Sequence, residues 1–227
     1  MSEPLRNTEL PPSVAPRPQA RAQMVVAGPS HPQRLDFERF VEARFEQAFG
    51  ARVPRHYPLV TGLRAPDGAV LAAAGVRFAE AAPLFLERYL DSPVEQAVAE
   101  AFGRPVARES IVEIGSLASD SPAASLQMFN ALATWLASVC GRRFAVATAR
   151  PDLQRLLGRA GFGLRPLGDA DPARLGEGAH DWGSYYDRAP RVFAGEIGVS
   201  SALPNLRERL RARSTARAVR RLRAVTS

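Results

Sequence analysis

The segment ESIVEIGSLASD, residues 109–120, decides the fold because it contains the most strand-like run of the chain. Its aliphatic residues predict a buried β-strand over residues 111–118. Glu113 interrupts this run, and no basic residue lies inside it. Because side chains alternate along a strand, we expect Glu113 on the same face as Gly115 and Leu117. A carboxylate in a buried strand needs either a partner or a function.

Helices alternate with strands on both sides of this segment. Before this strand, the sequence predicts a helix at 35–49, a β-hairpin of 58–65 with 69–78 and a helix from the N-cap Ser92 to Gly103. After the strand 111–118, it predicts a helix from Pro122 to Gly141, a strand at 142–149, a helix that ends at Gly161 and a strand at 163–169. Residues 84–90 fit a helix or a strand equally well. Tyr185 and Tyr186 are predicted in a further strand that breaks before Pro190. The pattern implies one mixed α/β layer structure.

The two ends of the chain have a different composition. Residues 1–33 hold seven prolines and are predicted to be disordered or extended. Residues 201–227 are predicted to form an Arg-rich helix or a solvated tail. The sequence therefore predicts a single domain over residues 34–200 between two tails.

The positive charge of the chain is confined to its C-terminal end. The net charge is +7, and residues 207–223 carry eight arginines and one glutamate. Residues 1–206 hold 22 arginines and 22 acidic residues and are therefore neutral. No nucleic-acid-binding domain is expected from a neutral body.

Several classes of protein are excluded by what the sequence lacks. A single cysteine, Cys140, precludes an internal disulfide, and the proline-rich N-terminus has no apolar signal segment. These features predict a cytoplasmic location, with peripheral membrane association through the basic tail as an addition. The three histidines lie far apart and have no cysteine partner, so no metal site is expected. The chain contains neither a G-x-S-x-G elbow nor a phosphate-binding P-loop.

Two long segments resemble a known bacterial family. RYLDSPVEQAVAEAFGRPVARESIVEIGSLAS (88–119) and ADPARLGEGAHDWGSYYDRAPRVFAGEIG (170–198) are similar to the thermostable hemolysin family. That family in turn resembles the GNAT-like acyltransferase fold, which includes acyl-homoserine-lactone synthases. The resemblance implies an α+β fold with a GNAT-like, three-layer domain, in which helices flank a mixed central sheet. It also implies acyl transfer from a thioester, either acyl-CoA or an acyl carrier protein, with no tightly bound cofactor.

The chain departs from N-acetyltransferases at two motifs. Such enzymes usually have a glycine-rich loop after the central strand, where backbone N–H groups approach a pyrophosphate. Here that stretch runs from Ser119 to Ala124 without a glycine, and Asp120 within it is expected to repel a phosphate. The tyrosine that often lies five residues before the Phe of a Gly–Phe pair is Leu157 here. A carrier-protein donor would depend less on the missing loop.

Glu113 has two interpretations. In a GNAT-like fold the central strand separates from its neighbour, and a carboxylate beside the opening could hold an amine or accept its proton. Gly115, on the same face, would leave room for a substrate. Alternatively, Glu113 pairs with an arginine such as Arg142 or Arg143 on an adjacent strand.

Other candidate residues follow from the resemblance to the fold. Backbone groups of Leu117, Ala118 and Ser119, together with Ser125, are predicted to bind the pantetheine arm of the donor. Trp182, Tyr185 and Arg191 are predicted to contact the substrate, and Tyr186 is predicted to protonate the departing thiolate. The alternatives are the end of a strand, helix capping, an aromatic core and surface ion pairs.

Three hypotheses of function remain open. The first is an acyltransferase that acts on an amine, with an acidic carrier protein or an anionic membrane as a partner of the Arg-rich tail. The second is a membrane-lytic protein, as the family name suggests. The third is an acyl- or partner-binding domain without catalysis.

Overall fold

The computed structural model describes residues 21–197 of the 227-residue chain. Seven strands form one mixed sheet in the order β1-β2-β3-β4-β5-β7-β6. The strands are β1 Gln23–Ala27, β2 Leu59–Arg64, β3 Val70–Phe78, β4 Ile111–Ser119, β5 Phe144–Ala149, β6 Leu164–Asp169 and β7 Arg191–Glu196. The α-helices are α1 Arg34–Phe49, α2 Val94–Phe102, α3 Pro122–Ser138 and α4 Pro151–Arg159, and longer 3-10 segments occur at Phe85–Tyr89 and Pro172–Arg188.

The helices cover the sheet on both faces and so form three layers. One face carries α1 and α2, whose apolar residues bury against the sheet through Phe37, Val41 and Val98. The other face carries α3 and α4, which pack through residues such as Met128 and Leu157. This mixed sheet between two helical layers confirms the predicted α+β architecture.

Two local predictions are wrong. Residues 23–27, predicted in a disordered or extended tail outside the domain, form the edge strand β1, because they pair along their whole length with β2. Tyr185 and Tyr186, predicted in a strand, lie in the 3-10 segment Pro172–Arg188. The strand of this region is β7, which starts after Pro190 and inserts between β5 and β6. The segments predicted for residues 1–20 and 198–227 lie outside the described residues.

The sheet opens in its middle. β4 pairs with β5 in parallel only from Ile111 to Glu113, which lies opposite Val146. Beyond this point β4 follows β3 as far as Ser119, whereas β5 follows β7 as far as Ala149. The carboxyl halves of two central strands therefore diverge immediately after Glu113.

A β-bulge in β4 lies at the same place. Two residues of β4, Ser116 and Leu117, stand opposite one residue of β3, and Ser116 has a positive φ of 49°. A bulge shifts the alternation of side chains by one position. Leu117 consequently packs on the α3 face and Ala118 on the α1 face, so the prediction that Leu117 shares a face with Glu113 is wrong.

An ion-pair network around Arg108 fixes the 3-10 helix Phe85–Tyr89. Glu87 accepts hydrogen bonds from the backbone N–H groups of Leu84 and Val94, and Arg108 donates to both Glu87 and Glu95. The Arg108 guanidinium lowers the pKa of Glu87 from 4.5 to about 2. The network ties the 3-10 helix Phe85–Tyr89 to α2.

The lowered pKa of Glu87 predicts a pH-dependent contribution to stability. A carboxyl whose pKa falls on folding stabilises the protein above its unfolded pKa, and this contribution is lost as the pH falls from about 4.5 toward 2. We expect Arg108→Gln to lower the free energy of unfolding at pH 7 and to converge with the parent protein near pH 2. Urea unfolding at both pH values measures this, and Arg191→Gln, which removes the exposed pair with Asp169, should show a smaller difference. Equal losses at both pH values would contradict the assignment.

Candidate active site

A cavity of about 760 Å³ fills the opening between β4 and β5. The end of α1, the start of α3, α4 and the 3-10 segment Pro172–Arg188 complete its wall. Of the residues predicted from the sequence, those that line the cavity are Glu113, Gly115, Leu117, Ala118, Ser119, Ser125, Trp182, Tyr185 and Tyr186. The fold therefore gathers in one space residues that are up to 73 positions apart in the chain.

Glu113 lies at the inner end of the cavity, where the two strands separate. It is 2% exposed. Its two carboxylate oxygens accept hydrogen bonds of 3.0 Å from the backbone N–H groups of Phe85 and Leu86. Burial raises the pKa of Glu113, and these two hydrogen bonds oppose the rise. A raised pKa brings the carboxylate closer to the range that suits a base at neutral pH.

The predicted arginine partners do not pair with Glu113. Arg142 instead binds Glu80, and Arg143 lies where β5 begins, outside the cavity lining. Arg77 stands directly opposite Glu113 in the register of β3 and β4. Its guanidinium lies over the ring of Tyr57, 5.2 Å from the centroid, and donates to the carbonyl of Pro83. Glu113 is thus held by neutral backbone donors, and the positive charge of Arg77 lies nearby without forming an ion pair with it.

Tyr57 occupies the space above two glycines. Gly75 of β3 and Gly115 of β4 face each other across the strands. A Cβ atom on Gly75 would lie 2.2 Å from the Tyr57 ring, and one on Gly115 would lie 2.0 Å from its hydroxyl oxygen. The absence of side chains at both positions lets the ring lie flat on the sheet. The room that Gly115 was predicted to leave for a substrate is taken by Tyr57.

The Tyr57 hydroxyl is close to Glu113 and lines the cavity. Burial and the charge of Glu113 raise the pKa of Tyr57 well above 10, so its phenol stays protonated. The hydroxyl of Tyr57 also opposes the rise in the pKa of Glu113. Tyr57 therefore lies beside the carboxylate that the two backbone N–H groups hold.

Aromatic side chains cover one side of the cavity. Trp182 and Tyr185 pack against Phe45 and Phe49 of α1, with ring centroids between 5.3 and 6.2 Å apart. The Tyr185 hydroxyl group donates a hydrogen bond to the carbonyl of Thr148, with 3.3 Å between the two oxygens. These contacts position the 3-10 segment Pro172–Arg188 against the end of α1.

Tyr186 is engaged by a second tyrosine. Its hydroxyl shares a short hydrogen bond with the hydroxyl of Tyr89 on the 3-10 helix Phe85–Tyr89. Burial raises the pKa of both phenols. Both side chains line the cavity, and their mutual hydrogen bond occupies the hydroxyl that was predicted to protonate a thiolate.

The opposite side of the cavity is polar and begins at the N-terminus of α3. The Ser121 side chain accepts a hydrogen bond from the N–H of Ala124 and so caps the helix, while Ser119 and Ser125 share a hydrogen bond of 2.6 Å. Asp120 forms an ion pair with Arg44 of α1. The negative charge that was expected to repel a phosphate is therefore compensated.

The outer end of the cavity is basic. Arg150 precedes α4, while Arg155 and Arg159 lie four residues apart on one side of this helix, and all three line the cavity. Asp152 pairs with Arg150. An anionic group at this end would meet an excess of positive charge.

The sequence profile of the family described as Thermostable hemolysin matches residues 27–201. The chain belongs to this family. No curated protein matches the chain significantly.

Three solved structures share the fold of this chain. TofI in an apo form superimposes with a TM-score of 0.54 at 13% identity, over 79% of this chain and 93% of that chain. The AHL synthase LasI gives 0.53 at 13% identity over the same shares. FeeM, an N-acyl amino acid synthase from uncultured soil microbes, gives 0.52 at 15% identity over 78% and 91%. At these identities the likeness establishes the GNAT-like fold of this thermostable hemolysin family member.

One predicted substrate residue lies elsewhere. Arg191, at the start of β7, pairs with Asp169 of β6 and does not line the cavity. Its side chain is exposed at the start of β7 and lies outside the opening between β4 and β5.

Sequence reasoning missed Tyr57 and the arginines of α4. Tyr57 lies in the irregular segment RHYP, which has no periodic pattern. The indirect signal was Gly75, a glycine inside a strand, which often marks a close approach by another group. In this member of the thermostable hemolysin family, Tyr57 thus enters the site through tertiary structure alone.

Gly75 and Gly115 form a slot that holds the Tyr57 ring, and this slot predicts the effect of a small substitution. We expect Gly75→Ala to lower the free energy of unfolding by about 1–3 kcal/mol, because its methyl group would overlap the Tyr57 ring. Gly158→Ala is the matched control, since nothing lies near its Cβ and replacement of a helical glycine adds about 0.5–1 kcal/mol. Thermal and urea unfolding of both variants measure the difference. Two variants of equal stability would disprove the slot.

Proposed function

We propose that this protein is an acyltransferase that moves an acyl group from a thioester donor to an amine. The observation that carries the proposal is the separation of β4 and β5 after Glu113, which opens a cavity of about 760 Å³ with a buried carboxylate at its inner end. The names of LasI and FeeM, two synthases of the same fold, support it. The cavity accepts an extended thioester along β4 and an amine from the aromatic side.

The free edge of β4 suits an extended donor. Beyond Glu113 this edge no longer pairs with β5, so the backbone groups of Leu117, Ala118 and Ser119 face the cavity. The amide groups of a pantetheine arm can bond such an edge as an added strand would. Ser125 lies beside it, hydrogen-bonded to Ser119.

A smaller apolar cavity continues from the opening toward the α3 face. Its volume is about 80 Å³, and Gly115, Ser116 and Leu117 border both cavities. The residues that enclose its apolar part are Ile114, Phe129, Ala145, Leu157, Phe162 and Phe193. The first carbons of an acyl chain would be buried here, while the thioester carbonyl remains in the opening beside Glu113.

Glu113 supplies the base of the proposed reaction. The amine nitrogen attacks the thioester carbonyl, the C–N bond forms, and Glu113 takes a proton from the nitrogen directly or through water. The C–S bond then breaks and the thiolate leaves. Two fixed backbone donors hold the carboxylate in one orientation, and its raised pKa strengthens it as a base.

The basic end of the cavity suits a phosphorylated donor. Arg155 and Arg159 line the same cavity as the free β4 edge, and the phosphates of CoA or of a carrier-bound phosphopantetheine would lie against them. Their charge would substitute for the absent glycine loop, and Arg44 pairs with Asp120 in the same cavity. The Arg-rich segment 201–227, as a contact for an acidic carrier protein or an anionic membrane, stays a prediction.

A second candidate function is an acyl-binding domain without catalysis. It is favoured by the full engagement of Glu113, since both of its oxygens already accept hydrogen bonds from backbone N–H groups.

The membrane-lytic hypothesis can be compared with the helices of the structure. Every helix within residues 21–197 is too short or too polar to cross a bilayer.

The proposal is tested with purified protein, acyl-CoA and acyl-carrier-protein donors of several chain lengths, and a pool of amines. Thiol release and mass spectrometry of new amides report turnover. An acyl amide formed in proportion to released thiol is the expected result. Tight binding of a donor without any thiol release would favour the second candidate.

Replacement of the carboxylate tests the role of Glu113. We expect Glu113→Gln to lower kcat by about 10²–10⁴-fold, the usual contribution of general acid–base catalysis. Glu80→Gln, a surface change in the Arg142 pair, is the control and should keep full activity. The amide introduced by Glu113→Gln would turn a donor toward one backbone N–H, so circular dichroism and the melting temperature must accompany the assay. Full turnover by a folded Glu113→Gln variant would remove Glu113 from the mechanism.

The basic end is tested by comparing two donors. We expect Arg155→Gln/Arg159→Gln to raise KM for acyl-CoA at least tenfold, because the charge-assisted contacts to phosphate are lost. KM for the same acyl group on N-acetylcysteamine, which carries no phosphate, should stay within about twofold. Arg165→Gln, an arginine outside the cavity, serves as the control. Equal changes for both donors would refute the phosphate contact.

A further inference from the structure

This inference rests on the proposed acyl transfer, in which no group has yet been assigned to protonate the departing sulfur. When the C–S bond breaks, the departing thiolate needs a proton. We propose that the Tyr57 hydroxyl is the catalytic acid that protonates the departing sulfur.

The location of Tyr57 supports this role. Its ring lies in the slot made by Gly75 and Gly115, and its hydroxyl projects over Gly115, the second residue after Glu113 on the separating strand. The hydroxyl therefore stands at the point where the donor would enter between the strands. The guanidinium of Arg77 covers the ring at 5.2 Å and restrains it.

The other tyrosines of the cavity have committed hydroxyls. Those of Tyr186 and Tyr89 bond to each other, and that of Tyr185 donates to the Thr148 carbonyl. The Tyr57 hydroxyl lies beside Glu113 in the cavity wall, and both oxygens of Glu113 already accept hydrogen bonds from the backbone N–H groups of Phe85 and Leu86. Tyr57 therefore replaces Tyr186 as the best-placed acid.

Proton transfer through the pair restores the resting state. The amine nitrogen forms the C–N bond and gives a proton to Glu113. The C–S bond breaks, the sulfur takes its electron pair, and the Tyr57 hydroxyl gives the sulfur a proton. The resulting tyrosinate takes the proton from Glu113, so the products are the amide and the free thiol, and both side chains regain their starting forms.

The charge of Glu113 couples the two proton transfers. The anionic carboxylate is one of the causes that raise the pKa of Tyr57, after burial. Once Glu113 has accepted a proton, this cause disappears and Tyr57 becomes a stronger acid. The phenol is thus most acidic when the thiolate is leaving. Other charged or titratable groups near it are Arg77, Tyr89 and Tyr185.

The experiment varies the basicity of the leaving thiol. Tyr57→Phe keeps the ring in its slot and removes only the hydroxyl. The donors are butyryl-pantetheine, whose thiol is basic, and butyryl-thiophenol, whose thiolate leaves without protonation. The acceptor is the amine that gives product in the pool assay. We expect Tyr57→Phe to slow the pantetheine reaction by about 10²-fold, the low end for general acid catalysis, and the thiophenol reaction by less than about threefold.

The ratio of the two rates within one preparation does not depend on the fraction of folded enzyme. Thr61→Val removes a buried hydroxyl from β2, away from the cavity, and should leave the ratio unchanged. An equal slowing of both donors by Tyr57→Phe would show a structural role and overturn the inference. Absence of thiol release by the parent protein with either donor would instead refute the proposed function, and the role of Tyr57 with it.

Discussion

The carboxylate of Glu113 holds the site together. It fastens the backbone of Phe85 and Leu86 to β4 at the last residue that still pairs with β5. Both oxygens are desolvated, so each needs a donor, and the two N–H groups at the start of a 3-10 helix provide them. The segment that carries Tyr89 is thereby fixed against the cavity. Because the buried charge has no ion-pair partner, its pKa rises rather than falls.

The interruption of the sheet and the glycine slot depend on the same strand. The bulge at Ser116 turns the far half of β4 away from β5, and the facing pair Gly75–Gly115 lets Tyr57 lie directly on the sheet. A carboxylate, a phenol and a free strand edge consequently share one small volume. This arrangement lacks backbone pairing between β4 and β5 beyond Glu113 and places polar groups where a core would bury apolar ones. Such departures are typical of functional sites rather than of structural cores.

The local pattern of the sequence was sufficient for most elements. The spacing of apolar residues predicted a helix at 35–49, a hairpin of 58–65 with 69–78 and a helix from Pro122, close to the observed bounds of α1, the β2–β3 hairpin and α3. The sequence did not indicate β1, because the four apolar residues that follow Gln23 carry no information about a pairing partner. It also misplaced Tyr185 and Tyr186, since aromatic residues favour strands but here pack against α1 through the 3-10 segment.

The sequence alone singled out Glu113, because a carboxylate within an aliphatic run is costly unless something compensates it. What compensates it was decided by tertiary structure: the donors are backbone groups 27 and 28 residues away, and backbone groups leave no trace in a residue pattern. The same holds for Tyr57, whose position over two glycines depends on a close approach between a loop and the sheet. The sequence determined which strand would be unusual, and the packing of distant segments decided what surrounds it.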